Sequence, residues 1–239
     1  MARRTMVPLI ADGSDVMFLR VSSVKVNTDD AARLRRQYEA EGLVEADMSS
    51  DPFTEFRLWL SGVASVDIEE PNAFVLATVN AVGRPSSRAV LMKNFSEEGI
   101  VFYTNLESRK SLELGANPAA AATFVWIPLH RQVRFEGSAV EVDGMTADTY
   151  FATRPRGAQI AAHASPQSTV VMSRADLEVR YSQLDKEFGD GPVPRPATWG
   201  GWRLMPDMVE FWQGQVNRFH DRVQYRLEGE SWIKERLAP

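Results

Sequence analysis

The chain has 239 residues, 44% of them hydrophobic and 25% charged, with a formal net charge of −5. That length allows one large or two small domains with a sizeable core, and the acidic balance argues against nucleic acid or an anionic membrane as a bulk partner while leaving room for a local cation cluster that takes a small anion. The absence of cysteine excludes disulfides, thiolate metal sites and a Cys nucleophile, and fits a cytoplasmic enzyme.

The first residues carry positive charge, but their apolar run is broken by Asp12, Gly13 and Asp15, so they make a poor signal peptide. Residues 1–27 read as an N-terminal extension, expected to be flexible, and residues 28–239 as a single domain. No apolar run approaches the roughly 18 residues that a membrane-crossing helix needs. A helix is expected over 29–41, stopped by Gly42, and a second in "DPFTEFRLWLSGV", where Asp51 caps, Pro52 takes the first helical position and Phe53, Phe56, Trp59 and Leu60 recur at helical spacing.

The pattern then changes to strands. "NAFVLATVNAVGRPSSRAVLMKNF" is two β-branched runs joined by a turn at 80–84, a hairpin signal, and "GIVFYTN" is a third strand. "ESRKSLELGANP" reads as a short helix ended by Gly115 to Pro118, and "AAATFVWI" and "QVRFEGSAVEV" as strands. "TADTYFATRPR" is a helix that Pro155 ends, and "SRADLEVRYSQLDKEF" is a capped helix. The end, "GWRLMPDMVEFWQG", "DRVQYRLEG" and "SWIKERLAP", returns to strands. Strands cluster without βαβ alternation, which predicts a mainly β, mostly antiparallel sheet or barrel with peripheral helices.

The familiar catalytic signatures are missing. No GxGxxG follows a strand, and there is no P-loop or GxSxG elbow. Three scattered histidines without an HExxH pair argue against a metal. What stands out instead is cations placed on rigid elements. Arg88 and Lys93 flank an apolar strand; five apart, they are expected on opposite faces, serving different partners. Arg109 and Lys110 open a helix, where N–H groups already attract an anion. Tyr150 and Arg154 share a helix face. Arg218 and His220, two apart, are expected to point the same way in an extended chain, with Phe219 opposite. Aromatics such as Trp212 and Tyr103, and polar groups such as Gln132, Gln167 and Ser168, offer stacking and hydrogen bonds to a ring. From chemistry alone, this pattern suits phosphorylated small molecules.

Longer stretches carry a resemblance. "EPNAFVLATV", "GRPSSRAVLMK", "VFYTNLESRKSLEL", "RQVRFEG", "YFATRPRGAQI", "SPQS", "VPRPATWGGWRL", "EFWQGQVNRFHDR" and the terminal "ERLAP" resemble the pyridoxine/pyridoxamine 5'-phosphate oxidases over residues 29–239. The resemblance implies an FMN-binding split β-barrel and a homodimer with FMN at the subunit interface. It implies that Arg88, Ala89, Val90, Leu91, Met92 and Lys93 line the flavin, with Tyr103, Thr104, Arg109, Lys110, Gln132, Gln167, Ser168, Trp212 and Arg222 also contacting it. Lys93, Tyr150, Arg154 and the position of Ala158 would hold the substrate phosphate. Arg218, Phe219 and His220 would lie at the substrate ring, with Arg218 and His220 serving catalysis, and Arg35 and Tyr38 would belong to a segment that closes over the site. The implied reaction oxidises C4' of pyridoxine or pyridoxamine phosphate, passes a hydride to flavin N5 and reduces O2 to hydrogen peroxide.

Two positions depart from the family pattern. Ala158 lacks a hydroxyl often present there, and His163 stands where a large aromatic is common. The rivals are a phenazine-type flavin oxidase on the same scaffold and a non-catalytic FMN or pyridoxal-phosphate binder. Lys93, Tyr150, Arg154, Arg218 and His220 together favour the vitamin B6 reaction.

Overall fold

The computed structural model describes residues 42–63 and 66–239, together with the backbone of two short antiparallel strands, β1 (Val7–Pro8) and β2 (Phe18–Leu19). The chain divides into two compact units, Met1–Gln37 and Tyr38–Pro239. The helix expected over 29–41 lies outside the described residues, as do Arg35 and Tyr38.

The second unit runs α1 (Pro52–Val63), β3 (Ala73–Val79), β4 (Pro85–Leu91), β5 (Asn94–Ser96), β6 (Gly99–Asn105), α2 (Arg109–Ala116), β7 (Ala119–Trp126), β8 (Arg131–Glu141), α3 (Gly144–Ala152), α4 (Arg156–Ala164), α5 (Arg174–Phe188), β9 (Trp199–Gln213), β10 (Asp221–Glu228) and β11 (Ser231–Arg236). All strand pairs are antiparallel, in the order β11-β10-β9-β8-β7-β3-β4. The long strand β9 keeps β8 along one edge and shares its other edge between two strands. Its first half pairs with β6 (Tyr103↔Gly201) and its second with β10 (Arg222↔Trp212). The Lys93 N–H donates to Val101 O at 2.8 Å, joining the end of β4 to β6. The result is the expected mainly β half-barrel with peripheral helices.

Alternating side chains fill the interior. On β3, Phe74, Leu76 and Thr78 are buried. They meet Phe102, Phe124, Phe135 and Phe211, which are also buried. Helix α1 plugs one end. Asp51 accepts N–H bonds from Phe53 and Thr54 at 3.3 and 2.8 Å, the N-cap that starts it. Phe53, Phe56, Trp59 and Val63 form its buried face, and the Phe56 ring lies 5.0 Å from both Phe124 and Phe135. Strand β8 carries a register shift at Glu136/Gly137, where a Cβ on Gly137 would lie 2.1 Å from Met205 O, so only glycine lets β9 pass.

Among the described helices, one ends where expected and one is new. Helix α2 ends at Ala116 with Asn117 as its C-cap, within the Gly115 to Pro118 stop expected of it. Helix α4 was not expected at all: Pro155 ends the α3 region but also sits at the N-cap of α4, whose alanine-rich run is a strong helix former. Among the described residues no helix is long and apolar enough to cross a membrane.

Candidate active site

A cleft of about 760 Å³ opens between β4, β6, the start of α2, and helices α3 and α4. From β4 and its continuation come Arg88, Ala89, Val90, Leu91 and Lys93; from β6, Tyr103 and Thr104; from α2, Arg109 and Lys110. Tyr150 and Arg154 enter from the end of α3, and Gln167 and Ser168 from the loop after α4. Arg88 and Lys93 both line the cleft, to which β4 presents the consecutive residues Ser86 to Leu91 from both of its faces. Strand β4 ends at Leu91; the Met92 N–H bonds to Asn72 O, one rung further along the β3–β4 register, and the Lys93 N–H turns to Val101 O on β6. Met92 itself is buried in the core cluster. Ala158 is not among the cleft-lining residues, although Ala161, Ala162 and Ser165, one and two turns on along the same helix face, are.

One end of the cleft gathers cations whose chemistry suits an anion. Lys110 Nζ is nearly buried and donates to Thr104 Oγ1 at 2.9 Å, Ser108 Oγ at 3.1 Å and Gln167 Oε1 at 2.9 Å. Burial, with the Arg88 charge nearby, pulls its pKa down to about 8. Arg88 donates to Thr78 Oγ1 at 2.6 Å and Ser86 Oγ at 2.5 Å, and Arg109 Nε to Glu113 Oε1 at 2.8 Å. Ser168 sits at φ 72, a left-handed conformation uncommon for serine and the kind of local strain that clusters at binding sites.

The other end is aromatic. Tyr103 stacks on Tyr150 at 4.1 Å and on Trp199 at 5.3 Å, with interplanar angles of 6° and 2°. The Arg154 guanidinium lies 4.8 Å over the Trp199 ring, and its Nη1 is buried without a hydrogen-bond partner. Burial raises the pKa of both tyrosines, so both remain phenols at neutral pH. Trp199 escaped the sequence reading. Its signal was the "TWGGW" pair of glycines: a Cβ on Gly201 would lie 2.7 Å from Tyr103 Cδ1, so the glycine makes the slot for that ring.

The remaining candidates gather elsewhere. Gln132, Trp212 and Arg222 stand in one row across β8, β9 and β10. Arg222 is held by the buried Glu210, Nε to Oε1 at 2.7 Å and Nη2 to Oε2 at 3.0 Å, and it donates to Ala238 O in the terminal "ERLAP". The His220 ring lies 4.8 Å from Trp212. The Gln215 N–H donates to His220 Nδ1 at 3.0 Å, which leaves the proton of the neutral ring on Nε2. Burial and Arg218 lower the His220 pKa. The extended-chain expectation fails here: residues Val216–Arg218 form a 3-10 turn with Asn217 at φ 55 and Arg218 at φ 63, and Phe219 is exposed. None of these residues lines the cleft of the same chain. His163 does not line it either. It sits on α4 with Nε2 2.7 Å from Pro194 O and its ring 5.0 Å from Phe188, filling space between helix and loop.

Comparisons with known proteins match this geometry. The family model described as pyridoxamine 5'-phosphate oxidase covers residues 63–186, and that of the pyridoxine 5'-phosphate oxidase C-terminal dimerisation region covers 199–239. The pyridoxine/pyridoxamine 5'-phosphate oxidase of Rubrobacter xylanophilus is 50% identical over 210 residues, 88% of this chain and 97% of that one. The protein of the same name from Ectopseudomonas mendocina is 47% identical over 89% of this chain and 100% of its own. Among solved structures, PhzG from Burkholderia lata 383, in complex with tetrahydrophenazine-1-carboxylic acid, superposes with a TM-score of 0.78 at 30% identity, covering 82% of this chain and 98% of that one. A pyridoxamine 5'-phosphate oxidase-related, FMN-binding protein from Nostoc punctiforme shares the fold with a TM-score of 0.63 at 16% identity, covering 83% of this chain and 100% of that one. This chain belongs to the pyridoxine/pyridoxamine 5'-phosphate oxidase family.

Proposed function

We propose that the chain is an FMN-dependent oxidase that converts pyridoxine 5'-phosphate and pyridoxamine 5'-phosphate to pyridoxal 5'-phosphate. The observation that carries this reading is a single cleft with cations at two separate places. Arg88, Arg109 and Lys110 stand near Thr104, Gln167 and Ser168, while Lys93 and Arg154 stand beside Tyr150. Two phosphates, one on the cofactor and one on the substrate, would use both. The donor set fits FMN: Lys110 meets only neutral oxygens, so a phosphate would supply its missing counter-charge. The buried, unpartnered Arg154 Nη1 likewise fits a substrate phosphate oxygen.

FMN, when bound, supplies the hydride acceptor and the reaction with O2. The chain's own groups bind and orient. Lys93, Tyr150 and Arg154 hold the substrate phosphate, and two anchored phosphates fix the reacting rings against each other. In this reading Gln132, Trp212 and Arg222 contact the flavin, and Arg218, Phe219 and His220 the substrate ring, from the second subunit of a homodimer built through the 199–239 region. In this reading residues 28–239 make up the one catalytic domain. His220, neutral and protonated at Nε2, donates a hydrogen bond to the substrate rather than serving as a base at that nitrogen.

The test is anaerobic mixing of the FMN-loaded protein with either phosphate ester. Bleaching of the flavin absorbance is expected, with colour and peroxide returning on admission of air. The similarity to PhzG makes an unphosphorylated tricycle the second reading. Bleaching by such a compound, and not by the phosphate esters, would select it; a flavin that never bleaches would leave a binding protein.

A further inference from the structure

Two arginines of the anion site share one carboxylate. Glu113 lies one turn after Arg109 on α2, is 5% exposed and does not line the cleft. Its Oε1 accepts from Arg109 Nε at 2.8 Å. Its Oε2 accepts from Thr78 Oγ1 at 2.5 Å, from Ser86 Oγ at 2.6 Å and from Arg88 Nη2 at 3.3 Å. Each hydroxyl has one proton, and both are spent on Glu113. Their lone pairs therefore face Arg88, whose Nη1 reaches Thr78 Oγ1 at 2.6 Å and Nη2 Ser86 Oγ at 2.5 Å. Burial pushes the Glu113 pKa up, but the bonds from Ser86, Thr78 and Arg109 outweigh it and hold the pKa at about 2. Glu113 ties β3, β4 and α2 together beneath the cleft floor.

We infer that Glu113 is the positioning residue of the flavin-phosphate site: it acts through Arg88 and Arg109, and through the two hydroxyls it orients, to set both guanidiniums before the phosphate arrives. The inference rests on the FMN reading above. Two effects of Glu113 oppose each other. Its charge lowers the positive potential felt by an anion, while its four hydrogen bonds fix the donors. Bidentate recognition of phosphate depends on geometry as well as charge, so the fixing dominates.

The discriminating readout is the ratio of FMN to riboflavin affinity, because riboflavin lacks the phosphate and shares the ring. A merely structural role would weaken both flavins alike. With the full-length chain freed of flavin, Glu113→Ala is expected to lower the FMN preference about tenfold with riboflavin affinity unchanged, and Glu113→Gln, which keeps an acceptor oxygen, to fall between it and the parent. A folded Glu113→Ala protein whose preference equals or exceeds the parent's overturns the inference. Should that variant not fold, the isosteric Thr78→Val removes one bridging hydroxyl from a fully buried site; a several-fold loss of preference supports the inference and an unchanged preference overturns it. A parent protein that binds FMN no better than riboflavin would instead defeat the phosphate-site reading itself, and this one with it.

Discussion

Lys110 Nζ touches three oxygens, those of Thr104, Ser108 and Gln167, and none carries a charge. Burial, with the Arg88 charge nearby, draws its pKa from 10.5 to about 8 in the ligand-free protein, and no carboxylate among the described residues offsets this. The folded state holds this proton less tightly than the unfolded chain does. The stability Lys110 contributes is thus present above pH 10.5 and lost as pH falls through about 8. A bound phosphate monoester reverses this by favouring the ammonium. FMN affinity is accordingly expected to fall as pH rises from about 8 toward 10, and titration by flavin fluorescence at several pH values checks it. Lys110→Met should remove that slope and weaken FMN binding at every pH; a slope that survives the substitution would assign it to another group. The sequence already placed a cation pair at the start of a helix. It did not reveal that Lys110 would be buried among neutral oxygens, because Gln167 reaches it from 57 residues away.

At the scale of elements, the pairing of β6 with β9 builds the aromatic end of the cleft. Tyr103 faces Gly201 in the register, and the stacked rings of Tyr150 and Trp199 come from α3 and the start of β9. Gly201→Ala would place a Cβ 2.7 Å from Tyr103 Cδ1 and 2.9 Å from Val142 Cγ2. Such overpacking costs about 1–3 kcal/mol. The expected outcome is that loss in urea denaturation together with a several-fold rise in KM for the phosphorylated substrate, as the Tyr103–Tyr150 stack opens. An unchanged KM would show that the stack does not position substrate. Nearly all strands were legible because the period-two burial of β3 and β8 is written in their residues. The turn at 216–218 was not. Its backbone takes left-handed values at Asn217 and Arg218, and nothing in "QVNRFHD" announces this beyond an asparagine, one of the residues that tolerates φ > 0.

For the whole molecule, the two sets of site residues occupy different places on one chain, and the 199–239 segment matches the family's dimerisation region. Two sites that each take one set from either subunit give a quantitative expectation. Lys110→Met and Arg218→Ala chains, each nearly inactive alone, are mixed and allowed to exchange subunits. Half the dimers are then mixed, and each holds one intact site of two, so about a quarter of parental activity should return. No recovery, with exchange shown by mass, would mean that each site is built within one chain.

The sequence by itself determined the alternating strands, the capped helices and the cation-bearing motifs that mark the family, because these are local matters of period, capping and residue type. Only the tertiary structure decided what shares a cleft with what. Arg88 and Lys93 share a cleft because both faces of β4 and its continuation border it. Glu113 joins Thr78 and Ser86 because α2 lies against the β3–β4 hairpin, bringing together residues up to 35 positions apart. His163 lies outside the cleft because α4 turns it to Pro194 O and the Phe188 ring. Contacts of this kind are fixed by how elements pack, and no local pattern encodes them.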